Sequence, residues 1–348
     1  MAGFLPMTED ALKILGRDEA ARTRIIAVLQ QYEALPEHRF TTVRDDVTGP
    51  IVDALHAGIE VVRKELRNGT QFDFPYRSKI ARDFVMAIPE KPDHVWEPQT
   101  TKLLIHLSHD ITDVIVGGAY FGDQAILIAE ALRGRGTCHA FEADAHQAAM
   151  LERNAALNAL DNVRVSAVGL WSDSVSHLRF VGSDAFASTV VAAGGIPTIT
   201  IDDYASSSAI ARIGLIMLDV EGSELHVLHG ARRVLSDQAP HVVFEVHRWY
   251  VDWSAGLHNT EIVRWLVSFG YTLFAIRDFQ SNYDLSGHPI ELVPVETAYL
   301  EGPPHGFNVL AVRDTSVIEN GAFRITPNVS PKLLLHRDPK HHHPAGGL

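Results

Sequence analysis

Apolar positions along the chain follow two spacings, and the change from one to the other divides it. Residues 8–34 carry Leu12, Leu15, Ile25, Ile26, Leu29 and Tyr32 at helical spacing in a polar background; Thr8 is the expected N-cap and Pro36 the stop. A second helical pattern is expected over residues 50–66, from Ile51, Leu55, Ile59, Val62 and Leu66, ending at Asn68-Gly69. Residues 70–100, with Pro75, Pro89, Pro92 and Pro98, read as irregular around a short helix near residues 77–86. An apolar helix at residues 103–107 follows. From there strands and helices alternate. Strands are expected at 114–116, 137–141, 163–168, 198–201, 214–220, 241–247, 271–276 and 307–312, with helices near 125–132, 144–158, 224–235 and 260–269. Residues 174–200 alternate and then turn glycine-rich, which predicts an antiparallel excursion with a mobile loop. Alternation of this kind predicts an α/β fold with a doubly wound, mostly parallel sheet of about seven core strands. The expected organisation is a helical cap or oligomerisation region over 1–95, a catalytic domain over 96–315 and a tail over 316–348.

Composition narrows the function. The chain has 348 residues, 46% of them hydrophobic, enough for a large buried core. Its formal charge of −13 offers no surplus cation for a nucleic-acid backbone or an anionic membrane. A small neutral or cationic substrate fits better. The single cysteine, Cys138, has no intramolecular partner, the first residues lack a secretory pattern, and no apolar run approaches spanning length. The expected location is the cytoplasm. Three adjacent histidines, His341 to His343, read as part of a disordered tail rather than a metal site.

The candidate chemistry begins at residues 112–144. A short β-branched run ends in Gly117-Gly118-Ala119-Tyr120-Phe121-Gly122 and passes into a helix; the next strand stops at Glu142, about twenty residues past Gly122. An acid there is placed to accept hydrogen bonds from ribose hydroxyls. A dinucleotide fingerprint needs glycine where Ala119 stands, because pyrophosphate must touch backbone at that point. The looser turn suits a cofactor without phosphate, such as S-adenosylmethionine, and weakens the alternative of an NAD-dependent oxidoreductase. Trp171, after the third strand, is either an adenine-stacking ring or core.

The block GLIMLDVEGSELHVLHGARRVL, preceded by TITIDDY and followed by VVFEVH, resembles the FkbM family of S-adenosylmethionine-dependent methyltransferases. The likeness extends upstream through VIVGGAYFG, HAFEAD and ERNAALNALDNVRVSAVGLWSD, covering roughly residues 96–250. It implies the Rossmann-like class I methyltransferase sheet of seven strands with an antiparallel last strand. It also implies methylation, usually of a hydroxyl, on a sugar or another small molecule of secondary metabolism. The candidate cofactor residues are Gly118, Ala119, Tyr120, Gly122, Asp123, Glu142, Ala143, Trp171 and Asp219. Val116 stands where the family usually has an acid, with Asp123 the nearest substitute. Tyr120 replaces the usual asparagine of the turn, and Met217 a lysine often found before the DVEG block. These departures leave a catalytically inactive cofactor-binding partner subunit as a further alternative.

A hydroxyl acceptor must lose a proton as it is methylated. Asp219 at the end of the fourth strand, Glu221, and Glu245 with His247 at the end of the fifth are expected to converge at the carboxyl edge of the sheet. His247 is the expected general base, oriented by Glu221 or Glu245. The rival arrangement makes Asp219, Glu245 and His247 ligands of Mg²⁺. Arg248, Trp249, Tyr250 and Trp253 lie just beyond, where a planar or sugar acceptor would rest. The expected partners are that small molecule and a second copy of the chain through the N-terminal helices, with no nucleic acid and no membrane.

Overall fold

The computed structural model describes residues 4–38, 41–181, 188–247, 249–299 and 306–333. Two compact units are present. One comprises the chain up to Pro98 with Ser281–Ser286; the other comprises Gln99–Gln280 with Gly287–Lys332.

The first unit contains α1 (Phe4–Gly16), α2 (Glu19–Glu33), α3 (Gly49–Leu55), β1 (Val61–Glu65), β2 (Gln71–Pro75) and α4 (Lys79–Val85). The single helix expected over 8–34 is two, because Asp18 takes extended backbone and caps α2, accepting from the Ala21 N–H at 3.1 Å. The helix expected over 50–66 is corrected more strongly. It stops at Leu55, Gly58 takes a φ of +87°, and Val61–Glu65 is a strand. Asn68-Gly69 is the turn of a β-hairpin and not a helix end: Leu66 N–H donates to Thr70 O at 2.8 Å, and β1 pairs antiparallel with β2. The unit is therefore mixed rather than helical. Phe72 and Phe74 of β2 pack on Phe84 of α4 at centroid distances of 6.1 and 5.2 Å. Arg63 forks onto its cross-strand partner Asp73 at 2.6 and 2.8 Å.

The second unit runs α5 (Pro98–Leu107), β3 (Asp113–Gly117), α6 (Ala125–Leu132), β4 (Thr137–Phe141), α7 (Ala145–Leu157), β5 (Val163–Ser166), β6 (Gly169–Leu170), β7 (His177–Val181), β8 (Ser188–Val191), β9 (Ile196–Ile199), α8 (Ile201–Ser207) and β10 (Ile213–Leu218). It continues with α9 (Glu224–His229), α10 (Arg232–Asp237), β11 (His241–Val246), α11 (Glu261–Ser268), β12 (Thr272–Ile276), β13 (Asp278–Phe279), β14 (Ile290–Pro294), β15 (Phe307–Val312) and β16 (Phe323–Ile325).

The main sheet has the order β16-β14-β12-β15-β11-β10-β3-β4-β5. From β5 to β12 this is the class I methyltransferase arrangement. β3, β4, β5, β10 and β11 are parallel, and β15 inserts antiparallel between β11 and β12. The strand count is corrected from seven to nine, because β14 and β16 extend the edge beyond β12. β16 also shows that the expected tail contributes to the sheet, up to Ile325. His341 to His343 lie outside the described residues. As expected, the described residues of 174–200 form an antiparallel excursion: β7 pairs with β8 and β9 in a four-stranded sheet with β6, and residues 182–187 lie outside the described residues.

Strand sequences explain the layers. Val242, Phe244 and Val246 of β11 and Phe307, Val309 and Ala311 of β15 turn into one core with Ile201, Val227, Leu228, Ile262 and Leu266 from the helices. The alternate residues, such as Val243, Leu310 and Met217, are equally buried on the other face. All six residues of β10 are buried, which is why it reads as a continuous apolar run. Cys138 in β4 is fully buried, and burial pushes its thiol up to about 12. No helix among the described residues is long and apolar enough to cross a membrane.

Candidate active site

The switch in strand order falls between β3 and β10, and the carboxyl ends of these strands carry the candidate residues. Gly118, just past β3, has φ +74°, and a Cβ there would stand 1.7 Å from the Asp219 carbonyl oxygen. Only glycine allows this approach. The N–H groups of Gly118 and Ala119 both donate to Phe141 O at 3.0 Å, fastening the turn to the end of β4. Tyr120 N–H donates to Glu142 Oε2 and Asp144 N–H to Oε1, each at 2.8 Å. Glu142 therefore braces the glycine turn and the start of α7 at once. Burial raises its carboxyl above the ordinary range, and those two N–H groups partly offset the rise. Tyr120 has φ +47°, a left-handed conformation that asparagine tolerates better than tyrosine.

At the ends of β10 and β11, acids crowd together. Asp219 N–H donates to Gly117 O at 2.9 Å. Burial raises the Asp219 carboxyl, and a hydrogen bond with Glu245 counteracts that rise. Asp123 is pushed up to about 7 by burial and by the like charge of Asp219. Glu221 and Gly222 both adopt left-handed backbone, φ +52° and +89°. Sequence reasoning missed what holds them. Glu224, 3% exposed, accepts from Val220 N–H at 3.0 Å and Gly222 N–H at 3.3 Å, and burial pushes it up to about 7. The available signal was an acid two residues past a glycine in the same block. Tyr250 donates its hydroxyl to Glu221 Oε2 at 3.4 Å and lays its ring where a Gly222 side chain would be, 2.5 Å from that Cβ position.

Glu245 lies against Gly306, where a Cβ would meet Oε1. Its cross-strand partner is Asn308, whose Nδ2 donates to Thr100 Oγ1 at 3.2 Å. Thr100 sits in the first turn of α5, whose N-terminus is held by buried Asp278, accepting from Gln99 N–H at 3.0 Å and Thr100 N–H at 2.7 Å. Asp278 and Asn308 were not expected, since both meet their partners across long stretches of chain.

His247 is half-buried, and its pKa is lowered by burial and by Lys332. Its Nδ1 accepts the Trp249 N–H at 3.1 Å. A backbone N–H can only donate, so the neutral ring carries its proton on Nε2. Asp219 and Glu245 meet, but His247 does not complete a metal-holding triad with them. Among the described residues no three His, Cys, Asp or Glu side chains do so, and the rival Mg²⁺ arrangement is not supported. Trp171 is 7% exposed and stacks on His226 at 4.4 Å and 17°. Trp249 is 58% exposed, whereas Trp253 is buried against Phe307. Arg248 lies outside the described residues.

The sequence profile of the Methyltransferase FkbM domain matches residues 117–273, from the glycine turn through β12. Over residues 117–273 the chain is similar to the FkbM methyltransferases. The match takes in the turn, Glu142, the DVEG block and the Glu245–Trp253 segment. No curated protein is similar to the chain. Among solved structures, the methyltransferase FkbM from Methylobacillus flagellatus KT is 16% identical with a TM-score of 0.36, over 58% of this chain and 44% of that one. This chain therefore spans less than half the length of that FkbM protein. A SAM-dependent methyltransferase from Agrobacterium tumefaciens is 10% identical with a TM-score of 0.40, over 73% and 71% of the two chains. An O-methyltransferase from Bacillus cereus in complex with SAH is 13% identical with a TM-score of 0.34, over 62% and 79%.

Proposed function

We propose that this chain is an S-adenosylmethionine-dependent methyltransferase acting on a hydroxyl of a small molecule of sugar or secondary-metabolite type. The observation that carries the reading is the coupling of the glycine turn to Glu142, within an FkbM domain, beside a cluster of acids. The donor set suits the cofactor. Each Glu142 oxygen takes one backbone N–H and keeps lone pairs for ribose hydroxyls. Asp123 and Asp219 supply negative charge suited to a cationic ligand. S-adenosylmethionine, when bound, supplies an electrophilic methyl group on a sulfonium.

The chain's own residues then orient the acceptor, exclude water and take its proton. The Asp219–Glu245 carboxyl pair is the proton acceptor we favour, because Nδ1 of His247 is already used by Trp249 N–H. His247 serves instead as a donor through Nε2–H, fixing the acceptor oxygen. Trp249 and Tyr250 offer ring faces for a sugar or planar group. No step is routed through Mg²⁺, since the donor set does not fit it.

Calorimetric titration with S-adenosylhomocysteine and with NAD tests the cofactor: micromolar binding of the first and none of the second is expected. Labelled methyl transfer to a panel of hydroxylated small molecules tests the acceptor class. Binding of NAD alone would sink the reading.

A further inference from the structure

The buried acid of the turn after β10 has no part in the reaction just proposed, yet it touches what surrounds it. We propose that Glu224 is a positioning residue: through its bonds to Val220 and Gly222 N–H it locks the left-handed Glu221-Gly222 turn, and this turn fixes the Trp249–Tyr250 segment that forms the acceptor wall. The claim rests on the methyl-transfer reading for the word acceptor, but its geometry is independent of it.

Both backbone N–H groups converge on the same oxygen, Oε1, at 3.0 and 3.3 Å. Glu221 at φ +52° is a conformation that a side-chain-bearing residue holds only when its surroundings enforce it. With the turn so held, Gly222 presents a bare α-carbon to the Tyr250 ring, and Glu221 presents its carboxylate to the Tyr250 hydroxyl. Tyr250 and Val251 N–H both donate to His247 O at 3.0 Å, so fixing Tyr250 also fixes the chain on either side of it. Relaxing the turn removes the Gly222 and Glu221 contacts of Tyr250 together.

Amide hydrogen exchange on the full chain tests this. Glu224→Ala leaves two N–H groups without their acceptor and should speed exchange at residues 220–222 and 249–251 at least about tenfold, with α7 unchanged. Glu224→Gln keeps a carbonyl oxygen in the same place and should restore both segments to within about threefold of wild type. Gly222→Ala, which leaves Glu224 intact, should loosen residues 249–251 by placing a methyl group in the Tyr250 ring, and it decides the matter if Glu224→Ala does not fold. Wild-type exchange at 249–251 in the variants that fold, or equal loosening in Glu224→Gln and Glu224→Ala, overturns the proposal. Failure of the wild-type chain to bind S-adenosylhomocysteine would count against methyl transfer alone, because the exchange results stand without the cofactor.

Discussion

Glu142 does two jobs with one carboxylate, and its removal should reveal both. Glu142→Ala strips the acceptor from Tyr120 and Asp144 N–H as well as from the ribose, so S-adenosylhomocysteine should bind about 2 kcal/mol, or ~30-fold, more weakly in calorimetry. Unchanged affinity in a folded variant would refute the role. Tyr120 makes the opposite prediction. Its left-handed backbone favours asparagine over tyrosine, so Tyr120→Asn should raise stability by about 1 kcal/mol in denaturant melts while cofactor affinity is kept. At this scale the sequence was legible where one residue type answers to one local need. The glycines, Glu142 and Asp219 could be found because turn and strand end lie in the local pattern. His247 could be found too, but the direction of its proton depends on Trp249 N–H, a contact that residue type does not disclose.

Among the elements, the alternating strands of the second unit were readable because burial on both faces leaves continuous apolar runs. The first unit was misread at Val61–Glu65, where three consecutive charges follow Val61-Val62 and no alternation marks a strand, while Ile59, Val62 and Leu66 fit helical spacing; only the Asn68-Gly69 turn separates the two patterns. β16 was missed because it has only three residues, and β14 because it becomes a strand through its pairing with β12 and β16. α5 depends on a partner equally remote in sequence. Asp278 accepts two N–H groups at its start, so Asp278→Ala should cost about 2–3 kcal/mol in urea unfolding and Asp278→Asn less. A loss within experimental error would show that α5 is held by packing alone.

For the whole molecule, charge sets the response to pH. Asp123 and Glu224 have folded-state pKa values of about 7, above their ordinary values of 3.8 and 4.5. Between those limits the folded chain holds more protons than the unfolded one, so their contribution to stability is present at the acid side and is lost as pH rises through 7. The melting temperature should accordingly fall between pH 5.5 and pH 8 if these two acids dominate. Cofactor discrimination should move the other way: as Asp123 ionises, the cationic S-adenosylmethionine should gain affinity relative to the uncharged-sulfur S-adenosylhomocysteine. A ratio constant across that range would remove Asp123 from the site.

The lone thiol of β4 has a practical consequence. Cys138 lies fully buried in an interior strand of the main sheet, with its ionisation pushed far above neutrality, so the closed protein offers an alkylating reagent no thiolate to attack. Labelling can proceed only in molecules whose sheet has opened. The unmodified chain thus contains a clock for its own opening, and a ligand that fastens the β3 and β10 loops should slow that clock in proportion to its occupancy.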